Sequence, residues 1–188
     1  MKMKKITVAV LFSAAISIIS GCSLVGIGVA TDTIGEMGVT VDRPASWKKT
    51  KMQKDEKYVD YVIDIPQKKS NASNVDGHVA LSLARPVGQE KLTVDSELKG
   101  LIKYLNKHVT ELKTLEERDM TFMGQSGKRL ILQFRNAEDK SISEKLAVTF
   151  TIKDNNAYTI ILDEDMEDFA LFMPQYEAMV ASMKFSEI

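Results

Sequence analysis

The side chains able to do chemistry in this 188-residue chain are few, and most stand apart from one another. There is one cysteine, Cys22, so no intramolecular disulfide can form. The two histidines, His78 and His108, share no H-x-x-x-H or H-E-x-x-H spacing, and no zinc site is expected from them. Gly124-Gln125-Ser126-Gly127 has a serine among glycines, but a nucleophile elbow needs G-x-S-x-G between a strand and a helix. Here the serine precedes glycine directly and falls between two strand patterns, which reads as a hairpin turn.

Three further groups carry charge or soft ligands. Asp163-Glu164-Asp165 with Glu167 and Asp168 supplies oxygens that calcium could use, without the alternating acids and glycine of an EF-hand loop. Acids at the start of a following helix would also complement its dipole, which accounts for them without a metal. Met120, Met123, Met166, Met173, Met179 and Met183 offer thioethers for copper, yet their strand and helix spacing assigns them mostly to a core. Lys48, Lys49, Lys51, Lys54 and Lys57 read as a solvated loop that can meet anionic head groups. Trp47 beside them is either exposed at a partner surface or buried as a staple; Trp47, Lys48, Lys49 and Lys51 are therefore the candidate partner-binding residues. No catalytic residue, metal ligand or cofactor site is assigned, and the chain is expected not to be an enzyme.

Cys22 gains its meaning from what precedes it. Lys2, Lys4 and Lys5 lead into an apolar stretch from Ile6 to Ile19, the layout of an export signal. A permanent spanning helix needs about 20 apolar residues, so this stretch is short for one. Ile19-Ser20-Gly21-Cys22 resembles the lipobox of bacterial lipoproteins: an aliphatic residue, two small residues, then cysteine. That resemblance implies a diacylglycerol on the Cys22 thiol, cleavage before it and acylation (palmitate) of the new amine. Acyl chains contribute about 0.8 kcal/mol per buried methylene, so two or three anchor stably. The expected location is the cell envelope: the outer membrane facing the periplasm where the cell has one, as Ser23 favours, and otherwise the outer face of the cytoplasmic membrane.

The expected organisation is a signal peptide over 1–21, a lipidated cysteine with a glycine-spaced tether over 22–37, and one globular domain over 38–188. Without residues 1–21 the chain has 22 basic and 26 acidic side chains, a formal charge of −4. Nothing in that balance points to nucleic acid.

Within the domain, Val39–Val41 begins a strand that stops at Pro44. Tyr58–Ile65 and His78–Ala84 read as strands. Val94, Leu98, Leu101, Ile102, Leu105, Val109 and Leu112 form one stripe of a helix capped by Thr93 or Asp95, in which Gly100 suggests close packing. Thr114–Met123, Lys128–Arg135, 144–153 and Ala157–Leu162 are strands on short connections, hence antiparallel. Phe169, Phe172, Tyr176, Met179, Val180 and Met183 mark a last helix, expected to start anew at Pro174. Phe185 closes the domain in an extended piece. Helices over an antiparallel sheet make an α+β domain.

This order, over about residues 38–186, resembles the PsbP-like superfamily and the DcrB-related lipoproteins within it. Pro44-Ala45-Ser46-Trp47 is similar to that family's P-x-G-W turn, with Ser46 where glycine is frequent. The helix Val94–Leu112, the hairpin at Gly124 and Gly127, the paired strands after it and the ending Val180-Ala181-Ser182-Met183-Lys184-Phe185 complete the likeness. The lysine-rich segment after Trp47 departs from it. The resemblance implies an α/β/α sandwich around a central antiparallel sheet. It implies no common chemistry, since members serve as photosystem subunits, Ran-binding proteins and envelope lipoproteins. The function expected is a non-catalytic, membrane-anchored lipoprotein that binds a protein partner in the envelope; the alternative is a carrier or sensor of a small ligand or metal ion.

Overall fold

The computed structural model describes residues 28–54, 57–66, 77–137 and 142–186. Its centre is a seven-stranded antiparallel sheet built from β3 (Lys48–Lys54), β4 (Tyr58–Asp64), β5 (His78–Ala84), β6 (Val109–Phe122), β7 (Gln125–Asn136), β8 (Ser143–Lys153) and β9 (Asn156–Asp165). The spatial order is β3-β4-β5-β9-β8-β7-β6. A three-stranded sheet of β1 (Val29–Ile34), β2 (Val39–Pro44) and β10 (Lys184–Phe185) packs beside it in the order β1-β2-β10. The two helices are α1 (Val94–His108) and α2 (Phe169–Ser182).

Alternation along the strands sends apolar side chains to both faces, so both faces must be covered. Leu130, Leu132 and Phe134 of β7 and Leu146, Val148 and Phe150 of β8 meet Leu105, Leu98, Leu101 and Ile102 of α1 on one face. Ala147 of β8 and Ile160 and Leu162 of β9 meet Tyr176, Met179 and Val180 of α2 on the other, together with Ile34, Val39 and Val41 of the small sheet. The domain is therefore an α/β/α sandwich. Residues beneath α2 on β8 are small (Ala147, Thr149, Thr151, all fully buried), which lets the helix lie close. Tyr176 uses that closeness: its hydroxyl donates to the Ile160 carbonyl (3.1 Å) and bonds Thr149 Oγ1 (2.9 Å), so its burial leaves no polar atom unpaired.

Thr93 caps α1 as expected: its Oγ1 accepts from Ser96 N (3.0 Å) while Ser96 Oγ accepts from Thr93 N (2.8 Å). The β6–β7 hairpin turns through Met123 (φ 52°) and Gly124 (φ 75°), the paired positive angles of a tight hairpin loop.

Several expectations are corrected. Residues 29–34, assigned to the tether, form β1, held to β2 over its whole length; their alternating half-buried pattern was hidden by the glycines before and after them. The segment after Trp47 is the edge strand β3, not a loop; lysines on an edge discourage pairing with other chains. The helix ends at His108 and Val109 already belongs to β6, because Val109 and Leu112 reach the same apolar cluster from a strand. Pro174 lies inside a continuous α2; the proline forgoes one backbone bond, and burial of Phe169, Tyr176, Met179 and Val180 outweighs it. Gly100 is not closely packed, since a methyl group there would touch nothing within 4 Å.

β1 is buckled to the main sheet by one carboxylate. Asp32 accepts from Arg43 Nε of β2 (2.5 Å) and from the Tyr61 hydroxyl of β4 (2.6 Å), while Arg43 Nη1 donates to the Trp47 carbonyl (2.5 Å). The bond to Asp32 is the main cause that raises the Arg43 pKa, and burial foremost raises that of Tyr61. Both therefore keep their protons across the physiological range.

Two glycines separate packing from propensity. Gly100→Ala is expected to stabilise the domain by about 1 kcal/mol, because it adds helix propensity without a clash. Gly127→Ala would put a methyl group 2.5 Å from the Phe150 carbonyl oxygen, and is expected to destabilise by about 1–3 kcal/mol. Urea titrations of both variants check this; equal effects of one sign would contradict it.

Candidate groove and carboxylate cluster

α2 packs against β9 and β2, not over the far end of the sheet. On that face α2 and the small sheet share the cover; it reaches Arg129 of β7 and Phe122 of β6, which are buried, and thins beyond them. Met120, Met123 and Ile131 are accordingly only partly buried there. The result is an open groove of about 930 Å³ between α2 and the β6–β7 hairpin. Met120 and Met123 form one wall, and Met173, Pro174, Ala178 and Ala181 the other. Arg118, Glu177 and Lys184 stand at its rim.

Linked to this groove through Glu177 is the buried cation Arg129 of β7, 2% exposed. It pairs with Glu177 of α2 and lies 3.5 Å from Glu116 of β6, with the Tyr176 ring 6.0 Å away. Its Nε and Nη1 meet these carboxylates off-axis, without a well-directed hydrogen bond. A guanidinium so deeply buried needs its carboxylates, so Glu177 is held toward the sheet and its charge is already matched.

The acidic run occupies the opposite end of the molecule. Asp163, Glu164 and Asp165 end β9, and Asp168 is the N-cap residue of α2, so the run reaches the helix N-terminus, where its charge complements the dipole. Asp165 Oδ1 also accepts from Glu167 N and Asp168 N (both 2.9 Å), shaping the turn into α2. Glu164 is 4% exposed and its Oε1 accepts from Asp165 N (3.0 Å). A methyl group at Gly77 would fall 1.7 Å from Glu164 Oε2, so the glycine provides the room this carboxyl occupies. Burial is the first cause that pushes Glu164 up to about 7 and Asp163 up to about 6. Glu164, Asp165 and Asp168 bring one oxygen each within 4.8 Å of the others, a geometry a divalent cation could use. Two of the three already accept backbone hydrogen bonds, which makes the cluster first of all a turn that stores protons.

The sequence-assigned residues separate. Cys22 lies outside the described residues. Trp47 is buried, 4% exposed, edge-on to Phe172 at 6.0 Å, so it staples the β2–β3 turn to α2 and presents no surface. Lys48 and Lys49 are exposed on β3, with Lys51 on the same strand; Lys49 Nζ lies 4.8 Å from the centre of the Tyr61 ring. Ser126 lies in β7 with no histidine or carboxylate bonded to it among the described residues, in keeping with a hairpin. His78 pairs across the ladder with Asp163, and the His108 ring lies 4.4 Å from that of Tyr104. Met179 and Met183 are core, whereas Met120, Met123 and Met173 line the groove and Met166 is exposed. The sequence singled out these methionines but could not show that three of them line one open groove.

No protein-family model matches the chain, and no curated protein sequence matches it significantly. Solved structures do resemble it in fold. The solution structure of cyanobacterial PsbP (CyanoP) from Synechocystis is 13% identical, covers 87% of this chain and 96% of its own, with a TM-score of 0.61. The Ran-binding protein Mog1p of Saccharomyces cerevisiae is 11% identical over 86% of this chain and 97% of its own, TM-score 0.57. LpqN of Mycobacterium tuberculosis, involved in cell envelope biogenesis, is 12% identical over 86% and 92%, TM-score 0.56. The α+β architecture is thus PsbP-like, as the resemblance in sequence implied.

The raised carboxyls set a pH dependence. A pKa of about 7 for Glu164 in the fold, against 4.5 for an ordinary glutamate, stabilises the folded state below pH 4.5, and that stabilisation is lost as pH rises through 7. Asp163 acts in the same sense through about 6. The melting temperature is expected to fall between pH 5 and pH 7.5, and Glu164→Gln to flatten the fall. A melting temperature that rises over this interval in the wild type would refute the assignment.

Proposed function

We propose that this protein is a non-catalytic lipoprotein of the cell envelope, tethered through lipid on Cys22, that works by binding another protein in the groove between α2 and the β6–β7 hairpin. The groove carries the reading. It joins an apolar, methionine-lined wall to a charged rim, and methionine's flexible thioether suits surfaces that adapt to a partner. Two of its rim charges are already matched: Glu177, partly exposed, pairs with the buried Arg129 behind it, and Arg118 pairs with Glu116.

The export signal and the Ile19-Ser20-Gly21-Cys22 run support the location, and the envelope role of LpqN, a protein of similar fold, is consistent with it. The location remains a reading of the sequence, since residues 1–27 lie outside those described; among the described residues, no helix is long and apolar enough to cross a membrane. Trp47 and the β3 lysines are set aside as the leading partner surface, because the tryptophan is buried.

A second reading, a carrier of a small apolar ligand, draws on one observation: about 930 Å³ is within the range of pockets that hold small molecules. The groove's openness along one side favours a polymer over an enclosed ligand.

Anchoring has a direct test. Cys22→Ser is expected to move the protein from the membrane fraction to the soluble envelope fraction, or to halt it as unprocessed precursor, with labelled palmitate lost from the band. Unchanged retention of a processed, unlabelled chain in washed membranes would defeat the lipid anchor.

A further inference from the structure

Resting on that reading, we propose that the partner presents an amphipathic helix with an acidic flank, which lies beside α2 across β6 and β7 and completes the missing layer of the sandwich. Three observations carry this.

The first is the shape of the vacancy. α1 covers the β6–β8 end of the sheet on one face, and α2 sits over β9 and β8 on the other. A helix packed against α2 would run about 8–10 Å from it, which places it above Met120 and Ile131. On α2's open flank Ala178 and Ala181 are small beside Met173 and Glu177, so a neighbouring helix can approach closely at those two positions. A strand would gain little here, because the sheet's backbone bonds lie at its edge and not on this face. The edge itself, β6, is broken by two register shifts and carries Glu116, Glu117, Arg118 and Asp119, features that discourage strand addition.

The second is charge. Around the groove stand Arg118, Arg129 and Lys184 against Glu116 and Glu177. Glu177 is taken by Arg129, and Glu116 lies 2.8 Å from Arg118 and 3.5 Å from Arg129. Lys184 is exposed with no ion pair among the described residues. The surplus is positive, and an acidic flank on the incoming helix meets it.

The third is direction. With β1 beginning at Val29, six residues separate Cys22 from the first strand. Even fully extended they span at most about 25 Å, so the end of the domain holding Val29 stays within about 25 Å of the anchored cysteine. Register identifies that end. Val29 pairs with Pro44, Ala45 N donates to the Gly28 carbonyl, and Lys48, Asp64, His78 and Asp163 align across the sheet. The β6–β7 turn is at the other end, where Gly127, Thr151 and Tyr158 align. The groove therefore lies at the end of the domain remote from the tether, where a protein can reach it.

Photo-crosslinking of the intact chain in its native cells tests this, with a photoreactive residue at Ala178 or Ala181 and, as a control, at Tyr104 on α1 across the sheet. Both groove positions are expected to give one protein adduct about tenfold stronger than Tyr104 does. Its crosslinked peptide should carry apolar residues at i, i+3, i+4 and i+7 beside a row of acids. Arg118→Glu with Lys184→Glu should weaken that adduct about tenfold while the melting temperature holds. Crosslinks to phospholipid, to a second copy of this chain, to a segment without helical periodicity, or no stronger than from Tyr104, would each overturn the proposal. The Cys22→Ser fractionation, run in the same cells, reports on the anchor separately, so a failed anchor and an empty groove give different results.

Discussion

A sheet that is apolar on both faces must be covered on both, and the described residues include only two helices with which to do it. β7 and β8 turn their large apolar side chains toward α1, and β9 and its neighbours turn theirs toward α2 and the small sheet. Each face therefore carries apolar surface that must be kept from water. α1 lies across one face. On the other, α2 is drawn toward β9 and β2 by the small residues beneath it and by Tyr176, whose hydroxyl is satisfied only at Thr149 and Ile160. Centring α2 there leaves the last two strands short of cover. The groove follows from the same contacts that stabilise the fold.

The buried cation fits this arrangement. Arg129 takes the position where a continuous core would place an apolar residue, and it is tolerated because Glu177 reaches it from α2 and Glu116 from β6. The pair joins helix to sheet at the groove's inner edge and orients α2. Asp32 plays the corresponding part at the other side, collecting Arg43 and Tyr61 so that the small sheet stays on β4. Polar interactions thus flank the apolar layer at both margins, and between them packing decides.

The carboxylate cluster is a different kind of device. Glu164 points inward where β9 runs into α2, with Gly77 leaving space and Asp165 turning the backbone. Burial raises its pKa to about 7, so it exchanges a proton near neutrality. The cluster and the β1 entry share one end of the molecule, so a response to local acidity would arise there and away from the groove.

What the sequence by itself determined was the local order: β2, β4, β5 and β7–β9 from alternation, and α1 and its Thr93 cap from helical spacing. Those features depend on neighbours within a few positions, and periodicity records them directly. The C-terminal limit of α1, the continuity of α2 through Pro174 and the pairing of β1 depended on partners far along the chain, and there local preference was overruled by burial. The binding surface was beyond reach for the same reason. Met120, Met173 and Ala178 are unremarkable as letters; they became a groove only because α2 is offset over the sheet, and Trp47, conspicuous as a letter, was withdrawn into the core by its contact with Phe172.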